Sequence, residues 1–399
     1  MARKIKSLII EKLKLNEKTF IGIERLEKFM SRHHLMASKS FEDYVMRNTS
    51  KRRLTICWII NVFIALNTIK YGILSVYNPK WLLVLFGEFV YKLGPFNLIS
   101  GICFFGGCIA SFRQFMNLYF EQKYKFKAID VLFGLKTRNK SYQLNCKYMK
   151  SFCFRSTLMS KLFLESLLNT TTIIMALMMA SIAYMAYDDP DMNHNPLNLI
   201  ISLVIFIVWC RYLFAIYSAD FFLFFCIALY LKYSFRQLMG PLKWTALSVT
   251  RVLSTHNRLT KLTKTLNKFF CNSLGILYAC GTPAINILLT LLINETNIWK
   301  RLFYGFVITQ LQVLMYLITY SAATISIENI KFPKYLYPLF IKRHLSIMNS
   351  LKYSSFLEKL SNNFIGFYCF NFFAYTKLSF FNYTLYVTSN YMLYHKKIN

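Results

Sequence analysis

The chain has 399 residues, of which 55% are hydrophobic and 16% charged, and its charges divide into 48 Lys and Arg against 17 Asp and Glu. A disordered basic tail that binds nucleic acid would need low hydrophobicity and few aromatic residues, whereas this chain has 38 Phe and 27 Tyr. The composition therefore excludes nucleic acid as a partner and predicts a multi-pass membrane protein that contacts lipid.

Seven nearly uncharged runs are long enough to cross a hydrocarbon core of roughly 30 Å. They cover residues 54–77, 81–110, 163–187, 197–230, 269–292, 302–326 and 364–394. The second run carries Glu88 and Lys92 at i,i+4 spacing, where they can pair on one helix face. The fourth run is unusually long, and its Arg211 and Asp220 lie too far apart to pair directly. We predict an all-α fold with seven transmembrane helices.

The distribution of Lys and Arg predicts the orientation of these spans. Four connections, 1–53, 112–163, 231–268 and 327–363, hold 39 of the 48 basic residues. The N-terminus is therefore predicted to be cytoplasmic and, with seven spans, the C-terminus extracellular. The sequon at Asn294 falls in a predicted outer connection, which makes this asparagine a candidate glycosylation site.

These boundaries divide the chain into four regions. They are a basic cytoplasmic segment at 1–53, transmembrane helices 1–4 at 54–230 with the cytoplasmic loop 112–163, a basic helical extension at 231–268, and transmembrane helices 5–7 at 269–399 with the loop 327–363 and the last helix at 364–394. In 251–270, apolar residues recur at helical spacing between basic ones. We expect long helices that extend below the membrane and pack into a cytoplasmic anchor.

Motifs of metal, nucleotide and hydrolase chemistry are absent from the sequence, so we predict no enzyme, no metal and no cofactor. The nearest approach to a reactive cluster is Asp188, Asp189, Asp191 and His194 in an outer connection. These side chains suit a metal or a cationic ligand, but carboxylates at a span boundary are also expected in an ordinary solvated loop. We favour the solvated loop.

The last span carries too many hydroxyl and amide side chains for a helix that faces lipid. Asn382, Tyr386 and Ser389 share one helix face, and Thr384, Thr388 and Tyr391 share another. Two interpretations stay open, a helix contact held by polar side chains and a water-filled pore shared between subunits.

Taken together, the layout resembles the arthropod gustatory and odorant receptor superfamily. The resemblance is carried by the length, the inverted orientation, the long fourth helix, the stretch THNRLTKLTKTLNKFF before the fifth span and the block FIGFYCFNFFAYTKLSFFNYTLYVTSNYML near the C-terminus. Tyr391 matches the tyrosine of a signature of the gustatory branch, although no Gln-Phe pair follows it. The gustatory branch is favoured.

The resemblance implies a plasma-membrane, ligand-gated, non-selective cation channel that detects a small organic tastant or odorant. It implies a homo- or hetero-tetramer with related subunits, in which the last helix of each subunit lines a central pore. Candidate pore residues are Asn382, Thr384, Val387, Thr388 and Tyr391. Candidate ligand-binding residues in the outer halves of the other helices are Tyr184, Tyr187, Trp209, Phe303, Tyr304 and Gln310.

The alternative is a polytopic transporter or an enzyme of an unrelated class. Transporters usually show internal repeats and charged residues at the membrane midplane. No repeat relates the two halves of this sequence, and of the charges within the spans only Arg211 is placed centrally. The channel is therefore the preferred interpretation.

Overall fold

The computed structural model describes residues 20–189, 195–238, 246–341, 365–369, 373–376 and seven single positions between 378 and 389. Eleven α-helices lie in these residues: α1 Ile21–Arg32, α2 Phe41–Val45, α3 Lys51–Val76, α4 Lys80–Leu85, α5 Phe96–Gln122, α6 Lys127–Lys136, α7 Cys146–Ser160, α8 Leu168–Tyr187, α9 Pro196–Leu238, α10 Ala246–Asn294 and α11 Ile298–Ile341. A 3₁₀ turn at Val90–Leu93 precedes α5, and a π-helical segment at Lys161–Leu167 joins α7 to α8.

Six helical stretches of the described chain are long and apolar enough to cross a membrane. They are Lys51–Val76, Phe96–Gln122, Cys146–Tyr187, Pro196–Leu238, Val252–Asn294 and Ile298–Phe332. The chain is thus a multi-pass membrane protein, and the predicted all-α class is confirmed. The seventh span and the orientation stay predictions.

The second predicted span differs from its expected form. In place of one helix from residue 81, the chain forms α4, the 3₁₀ turn and then α5. Gly87 adopts a φ of +57°, and Pro95 lies directly before α5, so the helix cannot run continuously. The expected pairing of Glu88 with Lys92 is consequently wrong.

Each of these two charges has another partner. The carboxylate of Glu88, which is fully buried, lies 2.7 Å from Nζ of Lys70 on α3. Lys92 lies 2.6 Å from the carboxylate of Asp189 at the end of α8. The segment between α3 and α5 is thereby tied by ion pairs to two transmembrane helices.

Five helical stretches extend well past the apolar runs from which they were predicted, and α10 shows the reason. Its segment 251–270 is helical, with Val252, Leu259 and Leu266 buried while Lys261 and Lys264 are exposed. This confirms the amphipathic helix predicted there. Below the apolar runs, α9 and α11 are joined by an ion pair of 2.5 Å between Arg236 and Glu328.

Helices α3 and α5 lie against each other over much of their length. The closest approach is at Gly107, where an added Cβ would lie 2.1 Å from Oγ1 of Thr68. Only a residue without a side chain fits between the helices at this level. The glycine therefore sets their separation.

The segment before α3 folds back onto the transmembrane helices. The carboxylate of Glu121 on α5, which is 1% exposed, accepts hydrogen bonds of 2.8 and 2.7 Å from the backbone N–H groups of Ala37 and Ser38 and one of 2.6 Å from the Ser38 hydroxyl. Arg25 on α1 lies 3.3 Å from Glu165 in the π-helical segment. Part of the predicted cytoplasmic N-terminal segment is thus an ordered part of the fold.

The beginning of the last predicted span is not helical. Tyr368–Cys369 (β1) pairs antiparallel with Phe373–Ala374 (β2), and the backbone N–H of Tyr375 donates to the carbonyl oxygen of Phe367. A helix starting at 364 is therefore wrong for this part. The side-chain oxygen of Asn267 on α10 accepts a hydrogen bond of 2.9 Å from the backbone N–H of Tyr368, which fixes the hairpin to α10.

Candidate ligand cavities and pore segment

Three cavities lie between the transmembrane helices, and Tyr217 and Leu314 belong to the walls of all three. The large cavity has a volume of about 430 Å³ and lies between α5, α10 and α11, beside Gly281 and Pro283. Its size falls within the usual range for small-molecule pockets. Its walls are apolar apart from the Tyr217 hydroxyl and the Cys280 thiol.

The second cavity, called here the Gln310 cavity, has a volume of about 140 Å³. It lies between the π-helical segment, α8, α9 and α11. Thr171, Ser218 and Gln310 provide polar groups among Phe, Leu and Val side chains. An apolar cavity with a few polar groups suits a small organic molecule, which gains apolar contact area and is oriented by hydrogen bonds.

The third cavity, called here the Arg113 cavity, has a volume of about 60 Å³ and contains the only charged groups among the three linings. Arg113 of α5 and Asp220 of α9 lie in its wall with Nε and Oδ2 2.5 Å apart. Asn117, one turn further along α5, donates to the other Asp220 oxygen at 3.0 Å. Asp220 therefore pairs with a residue of another helix, and not with Arg211, from which it was expected to lie too far away.

Tyr217 separates the three cavities. Its hydroxyl donates a hydrogen bond of 2.7 Å to the carbonyl oxygen of Gly106 on α5. This bond holds the ring across the space between α5, α9 and α11. A small movement of α5 against α9 would therefore change the shape of all three cavities at once.

The structure brings one of the six predicted ligand-binding residues to a cavity. Gln310 lines the cavity named after it. Tyr184 and Tyr187 are 69% and 54% exposed on the outside of α8. Aromatic side chains spaced along a helix give no indication of which face is turned inward when the whole helix is apolar.

The other three predicted ligand-binding residues are buried in packing contacts. Trp209 packs on Tyr71 with ring centroids 5.2 Å apart. Phe303 is 8% exposed, and its neighbour Tyr304 donates a hydrogen bond from its hydroxyl to the carbonyl oxygen of Leu93. None of the three lines the cavities described above, and their role in ligand binding stays a prediction.

Of the five predicted pore residues, Asn382 is described and its side chain is exposed. The other four, Thr384, Val387, Thr388 and Tyr391, lie outside the described residues. The part of the last segment that is described contacts α10: the rings of Tyr278 and Tyr375 lie 5.5 Å apart, and the amide of Asn286 donates to the Tyr386 hydroxyl. Movement of α10 would thus reach the last segment directly.

The acidic outer connection is partly described. Asp189 binds Lys92 and accepts a hydrogen bond of 3.1 Å from the hydroxyl of Tyr91, and burial together with this bond raises the pKa of Tyr91. Asp191 and His194 lie outside the described residues. The described residues contain no group of three or more side chains that could hold a metal ion. Asn294 is exposed at the end of α10, and its glycosylation stays a prediction.

Two side chains of the cavities were not singled out from the sequence. Arg113 lies just after the second apolar run, and it was counted among the basic residues of the loop 112–163. Nothing in the sequence therefore indicated that its side chain lies inside the bundle. Tyr217 is one of many aromatic residues on α9. The available signal was Asp220, a carboxylate in an apolar run that requires a cationic partner.

No protein-family model and no curated protein matches the chain. Among solved structures, the chain is similar to the insect olfactory receptor OR5 from Machilis hrabei, with a TM-score of 0.70 and 12% sequence identity over 94% of this chain and 98% of the receptor. The same receptor in complex with eugenol gives a TM-score of 0.69 and 11% identity, over 94% of this chain and 97% of the receptor. The chain therefore has the fold of an insect olfactory receptor.

Proposed function

We propose that the chain is a subunit of a ligand-gated, non-selective cation channel of the insect odorant and gustatory receptor superfamily. The single observation that carries the proposal is the shared fold, which extends over 94% of this chain. The proposed cellular site is the plasma membrane, where such a channel passes Na⁺, K⁺ and Ca²⁺ down their gradients.

The proposed ligand is a small organic molecule, a tastant in the favoured gustatory assignment or otherwise an odorant. One solved structure with this fold holds eugenol, and apolar cavities with few polar groups lie between α5, α8, α9, α10 and α11 of this chain. A ligand in the large cavity would contact α10 at Gly281, near the point where Pro283 removes a backbone hydrogen bond. If α10 has two positions, the ligand would favour the one in which it makes the more favourable contacts with the helix.

The proposed assembly is a homo- or hetero-tetramer in which the last segments of related subunits surround the pore. Support comes from the contacts of α10 with Tyr375 and Tyr386 and from the polar sequence of that segment. In this mechanism, α10 carries movement from the cavities to the pore.

The test is expression in a non-excitable cell with recording of membrane current while a panel of tastants and volatiles is applied. A ligand-evoked current carried by several cations is expected. The matched comparison is Gln310→Leu, which keeps the side-chain size but removes the polar group of the Gln310 cavity, and a shift in ligand potency is expected. A cell that shows surface protein but neither evoked nor spontaneous current would refute the channel.

A further inference from the structure

The ion pair between Arg113 and Asp220 lies deep in the bundle, and its groups are incompletely satisfied. Arg113 is 5% exposed. Its Nε contacts Asp220, its Nη1 lies 3.5 Å from the carbonyl oxygen of Phe269, and its Cζ lies 4.4 Å from the centroid of the Phe269 ring. Its Nη2 is buried and has no hydrogen-bond partner in the described chain.

An unpartnered guanidinium N–H in apolar surroundings is costly because the buried donor has lost its hydrogen bonds to water without gaining another. The remaining lining of the Arg113 cavity, apart from Asp220 and Tyr217, consists of Ile, Leu and Phe residues. Nη2 is therefore the unpartnered donor of a residue in the cavity wall, and an acceptor that reaches it would meet few competing polar groups.

The Arg113 cavity adjoins the large cavity. The two share Ile109, Tyr217, Leu277 and Leu314 as wall residues. On α5, Ile109 precedes Arg113 by about one helical turn, and Gly106 in the wall of the large cavity precedes it by about two turns, or roughly 10 Å. Together the two cavities form an elongated apolar space with Arg113 in the wall of one end.

Charge limits the kind of acceptor that fits. Asp220 already neutralises Arg113, so a second carboxylate at Nη2 would be held beside a buried carboxylate without a second cation in the cavity lining. A neutral oxygen avoids this repulsion. We propose that the combined cavity binds an elongated apolar molecule whose neutral carbonyl or hydroxyl oxygen accepts a hydrogen bond from Nη2 of Arg113.

The walls of the Arg113 cavity also contact the start of the last segment. The ring of Phe224 lies 5.0 Å from that of Phe367, and the ring of Phe270 lies 6.0 Å from it. An occupant of the cavity would press on the side chains that hold Phe367. Binding depends on the cavity alone, whereas an effect on current rests on the proposed channel function.

Binding is tested with the full-length protein in detergent and three probes of equal carbon number, 2-decanone, decane and decanoate. Thermal unfolding is followed as each probe is titrated. Saturable stabilisation by 2-decanone is expected, with a weaker effect of decane and of decanoate. Stronger stabilisation by decanoate than by the ketone would overturn the assignment of a neutral acceptor.

Arg113→Lys tests the donor because an ammonium group can still pair with Asp220 but lacks the second guanidinium nitrogen. The expected loss of 2-decanone affinity is about tenfold, the effect of one hydrogen bond to a charged group. The control is Arg211→Lys on α9, whose side chain lies outside the Arg113 cavity lining and should leave affinity unchanged. Unchanged affinity in Arg113→Lys would overturn the proposal.

A second variant covers the case in which Arg113→Lys fails to fold. Leu277→Phe adds volume at a wall residue shared by both cavities and leaves the ion pair in place. It should weaken binding of 2-decanone and of decane alike, and retention of full affinity for both would refute the location. If the native protein binds 2-decanone but carries no current, the channel is refuted and this site stands.

The carbonyl oxygen has two possible sources, a free small molecule and the acyl ester of a membrane lipid. Adding dioleoyl phosphatidylcholine during the 2-decanone titration distinguishes them. Competition that disappears in Arg113→Lys would assign the site to a lipid ester, and saturable ketone binding without competition would assign it to a free ligand. Both results retain the donor role of Arg113, and competition that persists unchanged in Arg113→Lys would overturn it.

Discussion

The hydroxyl of Tyr217 on α9 donates a hydrogen bond of 2.7 Å to the carbonyl oxygen of Gly106 on α5, and the ring that it holds forms a wall of three cavities. The acceptor is a helix carbonyl, so the bond joins two transmembrane helices without a second side chain. One side chain thus controls both a helix contact and the division of the interior space.

Tyr217→Phe should remove the hydrogen bond and keep the ring. A loss of about 1 kcal/mol in the free energy of unfolding is expected, measured by thermal unfolding in detergent. The control is Tyr212→Phe on the same helix, whose residue lines none of the three cavities. An equal loss in the free energy of unfolding of the two variants would show that the hydrogen bond to Gly106 makes no specific contribution to stability.

Tyr217→Ala should instead join the three cavities into one space. In the proposed channel, the response is expected to shift toward bulkier ligands, because the wall between the cavities is removed. The measurement is current against a homologous series of increasing size. A series with unchanged rank order would contradict the role of Tyr217 as the separating wall.

Gly107→Ala should be strongly destabilising because its Cβ would lie 2.1 Å from Oγ1 of Thr68. Overpacking of this kind typically costs about 1–3 kcal/mol, and α3 and α5 must separate to relieve it. Gly101→Ala is the matched control on the same helix, since a Cβ there meets nothing within 4 Å. It should be neutral or slightly stabilising through helix propensity. Similar melting temperatures for the two variants would refute the close contact.

Glu121→Ala should release the segment before α3 from the bundle. The change leaves the buried N–H groups of Ala37 and Ser38 without an acceptor, at a cost of about 1–3 kcal/mol for each group. Limited proteolysis should then cleave near these residues. Glu42→Ala, at an exposed carboxylate on α2, serves as the control and should leave the cleavage pattern of the native protein.

The sequence predicted the helices better than the cavities because the two depend on different information. Apolar runs and basic connections are local features, and six of the seven spans, with the amphipathic start of α10, were recovered from them. The break at Gly87 and Pro95 was missed, since the surrounding residues remain apolar through it. The pairs Lys70 with Glu88 and Arg113 with Asp220 join different segments of the chain and leave no periodic signal.

The candidate site shows the same limit. Gln310 was predicted because the family resemblance implies a pocket in the outer halves of the helices, and it does line a cavity. Tyr184 and Trp209 were predicted on the same ground, but aromatic side chains occur in packing cores and on lipid-facing surfaces as well as in ligand pockets. The start of the last segment was wrongly predicted as a helix, because its many aromatic residues are compatible with either a helix or a hairpin.

His33 should make folding stability depend on pH. Burial, with the positive charges of Arg211, Arg32 and His34 nearby, lowers the pKa of His33 to about 4 from the ordinary value of 6.5. Between these two values the unfolded chain binds a proton that the folded chain does not, so stability falls as the pH drops from about 6.5 toward 4. The slope contributed by this one group is at most about 1.4 kcal/mol per pH unit.

The test compares thermal unfolding of the native chain and of His33→Phe across this pH range. Phenylalanine keeps an aromatic ring beside Phe29, whose ring centroid lies 4.5 Å from that of His33, but it cannot titrate. The acid sensitivity between about pH 6.5 and 4 should therefore decrease in the variant, because the proton that favours the unfolded chain no longer has a binding site there. An identical pH dependence in both proteins would assign the effect to other groups and contradict a neutral, half-buried His33.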